Sequence, residues 1–307
     1  MIHVNRRQAT KTLAGLGIAA LAPSTSIAFQ GRDESKKQAV VRVLSYNIWV
    51  GGERGGVEQT AEVIKASRAD LVGIQEAKTS GFRLAELTGL TLFDQGDRVV
   101  LSRFPVLAQS PRKYGVRVEI PGGGPVWMFN AHLPASPYQP YQLNGIPYGK
   151  ENPMIETAAE AIGEALRARG SRSAELLSDL GHAFRTGEPI LLTGDFNEPS
   201  HLDWTARAAA AGRCKLPVAW PTSRAMCDAG LTDVFRTLHP DEVTRPGATW
   251  TPVPGAREVH DRIDFIYSSG LTPQAVQIIG EAGGPVDLSV KPYPSDHRAV
   301  VATLSFR

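Results

Sequence analysis

Apolar and polar positions alternate with a period of two over "VVRVLSYNIW", residues 40–49, the spacing of a half-buried strand. The following "VEQTAEVIKASRA" repeats at three and four residues, as an amphipathic helix does. "DLVGIQE" reads as a short buried strand and "RLAELTG" as a helix. "RVVLSRFPV", "VRVEI" and "VWMFNAHL" read as strands, the last two joined across "PGGGP". "MIETAAEAIGEALRARG" and "SAELLSDLGHAFRTG" predict two helices, ending at Gly170 and Gly187. "PILLTGDFNEP" begins as a buried strand and stops at Gly194. A helix over Trp204–Ala211, the segment "LTDVFRTLH", and the strands "RIDFIYS", "AVQIIG" and "AVVATLSF" complete the order. Strands outnumber helices, and hairpin neighbours mix with βαβ steps. That pattern predicts two sheets packed together with helices outside.

Six of these strand ends, or the loops after them, carry polar groups. They are Asn47, Glu76, Asn130 with His132, Asp195 with Asn197, Asp264, and Asp296 with His297. Taken singly, each has a plain structural role. Asn47 and Asn197 suit turn caps, Glu76 a solvated loop, and His132 a satisfied interior position. Asp264 suits an ion pair with Arg262 or Arg298. Together they form an oxygen-rich set that a packed core can hold at one edge of a sandwich. Such a set suits Mg²⁺, or Mn²⁺ or Ca²⁺, rather than zinc. In "GDFN", residues two apart in an extended chain point to one side, so Asp195 and Asn197 can face the same group while Phe196 packs away.

The N-terminus changes the charge picture. Arg6-Arg7 precede an apolar run from Leu13 to Ala22, and Ser26-Ile27-Ala28 offers small residues for cleavage. Residues 1–28 therefore read as an export signal of twin-arginine type, followed by a polar linker over 29–39 and one domain over 40–307. A periplasmic or secreted location is expected. The run is too short to span a membrane, where about 20 residues are needed, so no stable membrane insertion is expected. The chain has 33 basic and 31 acidic residues; loss of Arg6, Arg7 and Lys11 leaves 30 against 31. The remaining chain has no basic excess to draw it to nucleic acid. A hydrophobic fraction of 42% and a charged fraction of 21% exclude wholesale disorder. The two cysteines, Cys214 and Cys227, are expected to pair in an exported protein. The absence of C-x-x-C argues against a redox or zinc role.

The stretches "SYNIW", "GIQE", "LSRFPV", "NAHL", "GDFNEP", "RIDFI" and "SDHRAV" occur in an order that resembles the endonuclease/exonuclease/phosphatase superfamily. The resemblance covers the chain from about Val41 to the end. It implies an α+β fold, a four-layer αββα sandwich of two mixed sheets, and metal-dependent hydrolysis of phosphate esters. Carried over residue by residue, it implies Glu76 as principal metal ligand with Asn47 beside it and Asp296 in or near the metal shell. Asp195 is expected to align or deprotonate the attacking water, and Asn197 to hold a phosphate oxygen. His297, oriented by Asp264, is expected to act as general base or to bind phosphate. His132 is expected to donate to the phosphoryl group or protonate the leaving oxygen. Asn130 accompanies it on the substrate side. In the repair-nuclease branch an acid stands two residues after the first-strand asparagine; here that residue is Trp49. An abasic-site repair role is therefore disfavoured.

Two stretches bear on the substrate. "LPASPYQPYQLNGIPYGKENP" holds Tyr138, Tyr141 and Tyr148 among five prolines, with Lys150 near its end. Prolines stiffen a loop, and aromatics stack on rings. The second, "SHLDWT" with "WPTSR", offers His201, Asp203, Trp220 and Arg224 for the cleft floor, with Asp203 also suited to cap the helix before Trp204. The expected activity is that of an exported phosphodiesterase or phosphatase. A secreted nuclease is the alternative, and a non-catalytic binding protein on the same fold ranks third. Oligomeric state is not written in the pattern.

Overall fold

The computed structural model describes residues 38–148, 153–253, 255 and 257–307. The expected export signal, most of the linker and Lys150 lie outside the described residues. The strands are β1 (Val40–Asn47), β2 (Leu71–Gln75), β3 (Thr91–Asp94), β4 (Val99–Ser102), β5 (Val106–Gln109), β6 (Gly115–Ile120) and β7 (Gly124–His132). They continue with β8 (Ile190–Asp195), β9 (Thr232–Asp233), β10 (Asp264–Ser269), β11 (Leu271–Gly280), β12 (Leu288–Ser289) and β13 (Ala299–Phe306). Among the described residues, one sheet has the order β12-β11-β13-β1-β2-β4-β3 and the other β5-β6-β7-β8-β10-β9. Both are mixed: β1–β2 and β7–β8 run parallel, while β1–β13 and β8–β10 run antiparallel.

The period of two sorts each strand into two faces. In β1, Val41 and Val43 enter a core shared with Val126 and Met128 of β7 and Leu191 of β8, between the sheets. Leu44 and Tyr46 face the other way, onto Ala61, Val63 and Ile64 of helix α1 (Val57–Ser67) and Leu84 of helix α2 (Gly81–Thr88). On the far side, Trp127, Phe129, Leu192 and Phe265 pack against a long helix carrying Leu176, Leu180 and Ala183. The layers are therefore helix, sheet, sheet, helix, as expected for the four-layer sandwich.

One expectation fails here. The two helices predicted around Gly170 are a single 27-residue helix, Ala158–Phe184. Its buried stripe, Ala161, Ala165, Arg169, Ser173, Leu176 and Leu180, runs through Gly170 without losing register. A helix-interior glycine costs about 1 kcal/mol, less than the burial of that stripe returns. Thr157 and Glu160 start the helix with a reciprocal capping box.

The face between the sheets changes character along its length. Reading every second residue, β1 runs Val41, Val43, Ser45, Asn47; β7 runs Val126, Met128, Asn130, His132; β8 runs Leu191, Thr193, Asp195. Apolar side chains give way to a buried polar layer. Within it, Gln75 Nε2 donates to Asn130 Oδ1 at 2.7 Å, Thr193 Oγ1 to the same oxygen at 3.2 Å, and the Gly194 amide to Ser45 Oγ at 3.1 Å. The sheets meet so closely at this layer that a Cβ on Gly73 would lie 1.9 Å from Thr193 Oγ1. Beyond it lies the site.

Candidate active site

Strand register brings the expected residues together. His132 pairs with Asp195 across β7–β8, and Asp195 pairs with Asp264 across β8–β10. Three adjacent strands thus present His132, Asp195 and Asp264 in one row. Across the sandwich, Asn47 Nδ2 donates to Asp195 Oδ2 at 2.9 Å and to Glu76 Oε1 at 3.3 Å. Asn197, in the left-handed region at φ 48°, folds back so that its amide donates to Asp195 Oδ1 at 2.8 Å and its Nδ2 to Oδ2 at 3.2 Å. Gly194 permits this turn, since a Cβ there would sit 2.8 Å from the Ala131 carbonyl oxygen.

Two imidazoles converge on Asp195. His132 Nε2 and His297 Nε2 each stand 3.8 Å from Asp195 Oδ2. Each ring is held from behind through Nδ1: His132 by Asp97 Oδ2 at 2.9 Å, His297 by Asp264 Oδ2 at 2.9 Å. Burial opposes protonation of His297, yet the carboxylates of Asp264 and Asp195 prevail and hold it up at about 10. His132 is also raised; burial opposes the shift, and Asp97 and Asp195 outweigh it. Trp250 packs on His297 at 4.8 Å between ring centroids. Thr249 Oγ1 accepts the Ile263 and Asp264 amides, both at 3.1 Å, and so fixes the start of β10.

The donor set fits a hard divalent cation. Glu76 and Asp296 line one cavity of about 160 Å³ together with Asn197 and His297. Asp296 Oδ1 is buried with no hydrogen-bond partner among the described residues, an orphaned carboxylate oxygen awaiting a charge. Burial pushes the Asp296 carboxyl up to about 6. Asp195, Asp264 and His297 also bring ligand atoms within 4.8 Å of one another. Because Asp264 and His297 Nδ1 are committed to each other, Glu76, Asn47 and Asp296 are the better holders of an ion.

Several expectations are corrected. Asn130 is fully buried; its Nδ2 donates to the Ile74 and Val99 carbonyls at 2.8 and 3.0 Å, so it clips the sheets instead of facing substrate. Trp220 is fully buried against Trp204 at 5.1 Å, beneath the surface it was expected to line. Arg224 is exposed and pairs with Asp228 at 3.6 Å on its own helix turn. Asp203 caps nothing: it binds Arg236 and Arg262, and Thr205 caps the following helix. His201 is engaged by Ser223 at 2.9 Å. Cys214 and Cys227 are both free thiols, because Cys214 packs with the Trp204–Trp220 cluster and Cys227 with the Leu176–Leu180 cluster. Tyr138 and Tyr141 do line the cavity, with Tyr148, Trp49 and Trp250. Asp97 and Trp250 had not been foreseen. Asp97 stands in the turn between β3 and β4, and its only sequence signal is the "DQGD" turn itself.

The profile described as "Endonuclease/Exonuclease/phosphatase family" matches residues 44–297. The chain belongs to this family. Its members are metal-dependent phosphoester hydrolases, and the protein is an enzyme of that class. The chain is 27% identical over 301 residues to an uncharacterised protein of Caenorhabditis elegans, covering 87% of this chain and 91% of that one. Among solved structures it is similar to an endonuclease/exonuclease/phosphatase protein from Beutenbergia cavernae, with 18% identity, TM-score 0.54, and coverage of 88% of this chain and 72% of that one. It is also similar to the human Nocturnin catalytic domain with bound sulfate, with 16% identity, TM-score 0.53, and coverage of 87% and 95%. These likenesses carry the fold. The family hydrolase's own chemistry rests on the geometry above.

Proposed function

We propose that this family hydrolase cuts small or medium phosphate esters, as a phosphodiesterase or phosphatase, using one carboxylate between two carboxylate-backed imidazoles. The observation that carries the reading is the placement of Asp195 Oδ2 at 3.8 Å from both His132 Nε2 and His297 Nε2. A water beside these three atoms can reach the Asp195 acceptor and both imidazole Nε2 atoms at hydrogen-bond distance. Asp195, steadied by three hydrogen bonds from Asn47 and Asn197, takes the proton of the attacking water. His297, held from behind at Nδ1 by Asp264, turns Nε2 toward Asp195 and the site, where it binds a non-bridging phosphoryl oxygen or serves as general base. His132, at the more open side of the site, gives its proton to the leaving oxygen. Asn197, its Nδ2 donating to Asp195 and to the Leu133 carbonyl, positions Asp195 at the cavity wall and has no side-chain donor left for a phosphate oxygen.

A divalent cation held by Glu76, Asn47 and Asp296 would neutralise charge on the phosphoryl group. Mg²⁺ is proposed, with Mn²⁺ or Ca²⁺ as the nearest substitutes. The similar Nocturnin domain was solved with a bound sulfate, an anion of phosphate shape, which agrees with this reading. Action outside the cytoplasm is also proposed, supported by Arg6-Arg7 and the apolar run behind them. Without that segment the chain has 30 basic against 31 acidic residues, which favours small esters over nucleic acid. The test is a panel with the purified full chain and Mg²⁺, Mn²⁺ or Ca²⁺: bis-p-nitrophenyl phosphate, p-nitrophenyl phosphate, plasmid DNA and RNA. Metal-dependent release of p-nitrophenolate with intact plasmid is expected. Efficient nicking would install the nuclease alternative, and silence throughout with no metal bound would leave a binding protein.

A further inference from the structure

Tyr138 and Tyr141, in the wall of the cavity that holds Glu76, Asp296 and His297, are carried by residues 137–145. The middle of that segment is the short helix Gln139–Asn144. A helix of this length does not hold itself in water, so its place comes from what grips it. The two rings stand edge to face, at 88° with centroids 4.9 Å apart. Tyr138 Oη donates to Asp261 at 2.7 Å and Tyr141 Oη to Glu258 at 2.5 Å, which fixes the ring tips. The rest of the segment is gripped separately, by three cations from three other parts of the chain.

Arg169 is the deepest of them. It lies in the middle of the 27-residue helix and is fully buried. Its Nη1 donates to Gln139 Oε1 at 2.6 Å and its Nη2 to the Pro137 carbonyl at 3.0 Å. Gln139 Nε2 donates to the same carbonyl at 2.9 Å and to Gln142 Oε1 at 3.2 Å, and Gln142 Nε2 donates to the Pro153 carbonyl at 3.1 Å. Both glutamines are buried, so the chain of bonds runs through the interior. At the other end of the segment, Lys215 Nζ donates to the Leu143 carbonyl. Arg257 Nη2 donates to the Asn144 and Gly145 carbonyls, each at 3.2 Å. The last carbonyls of a helix lack partners within it, and cations suit them.

Burying a guanidinium is costly. Burial draws the Arg169 pKa below its ordinary value, against the opposing pull of Glu198 and Asp195. An apolar side chain would occupy the same stripe, between Ala165 and Ser173, without desolvating a charge. What the guanidinium adds is a planar fork that holds two points of the neighbouring segment at once. Resting on the hydrolytic reading above, we infer that Arg169, aided by Lys215 and Arg257, positions the Tyr138–Tyr141 wall against the bound phosphate ester and so sets substrate affinity. The three act through the segment, as positioning residues, and take no part in proton transfer.

The test is steady-state hydrolysis of bis-p-nitrophenyl phosphate by the purified full chain at room temperature, with Mg²⁺ or Mn²⁺, beside thermal unfolding of each variant. Arg169→Met is expected to raise KM at least about fivefold and to leave kcat within about twofold. The double variant Lys215→Ala/Arg257→Ala is expected to raise KM about two- to threefold, again with little change in kcat. A purely structural role predicts a different pattern, a lower melting temperature with the KM and kcat of the wild type. That pattern in a folded Arg169→Met protein overturns the inference, as does a fall in kcat with KM unchanged. Should Arg169→Met fail to fold, the double variant decides on the same terms. A wild type that hydrolyses the ester with neither metal overturns the hydrolytic reading and the inference with it, and is recognised before any variant is compared.

Discussion

The two imidazoles of the site are built alike and housed differently. His297 and Asp264 lie inside the sandwich, with side chains 5% and 0% exposed. His132 and Asp97 lie at its lip, 17% and 53% exposed. The same 2.9 Å hydrogen bond joins each pair. Burial decides what that bond is worth. In the interior no water can replace Asp264, and the attraction between carboxylate and imidazolium is weakly screened. At the lip, solvent competes with Asp97 and screens it. The inner pair is therefore the more firmly oriented and the outer pair the more solvent-exchangeable, in keeping with the proposed roles of phosphoryl binding and leaving-group protonation.

This contrast can be broken in steps. The largest effect is expected for His297→Ala, a loss of about 10²- to 10⁴-fold in kcat/KM on bis-p-nitrophenyl phosphate. Next comes Asp264→Asn, about 10- to 100-fold, the range for a group that orients a site imidazole. The same variant carries a pH signature in the metal-free protein. His297 has its folded value raised, so its pairing stabilises the fold fully below about 6.5 and ceases to do so as pH rises through about 10. The melting-temperature gap between wild type and Asp264→Asn is thus expected to be wide near neutral pH and to close above that value, read by thermal unfolding in EDTA. Asp97→Asn is expected to cost less than about tenfold, because water can stand in for an exposed partner. If Asp97→Asn costs as much as Asp264→Asn, burial is not what separates the pairs. Smallest of all, Arg224→Ala is expected to leave activity unchanged and stability within about 0.5 kcal/mol.

The inner pair was legible in the sequence and the outer only by half. Asp195, Asp264 and His132 follow apolar runs, and the period of two fixes which face each takes, so their convergence could be read from strand ends. His297 follows from the "SDH" motif just ahead of β13. Asp97 could not be read, because an acid in a surface turn has the same local pattern whether it meets water or a histidine. Asn130 misled for the opposite reason. It occupies a strand end like the others but stops one layer short, where the sheets are too close for substrate. Trp220 was expected on the cleft floor as part of the "WPTSR" stretch, yet tertiary packing on Trp204 buries it. The missing break at Gly170 shows a continuous buried stripe, carried past the glycine by Arg169 and Ser173, overriding a local helix stop. The aromatic residues of the Pro-rich segment were visible as a composition, but their upright arrangement depends on hydrogen bonds to Asp261 and Glu258, more than 100 residues away.

The central claim is that Asp195 and the buried His297–Asp264 pair perform metal-dependent hydrolysis of a phosphate ester. Its most direct test is p-nitrophenolate release from bis-p-nitrophenyl phosphate by wild type and His297→Ala, each with EDTA and after Mg²⁺ or Mn²⁺ is restored. The account predicts activity that EDTA abolishes and metal restores in the wild type, and a loss of about 10²-fold or more in the variant under both metals. Full activity in EDTA, or a His297→Ala protein as active as wild type, would contradict it.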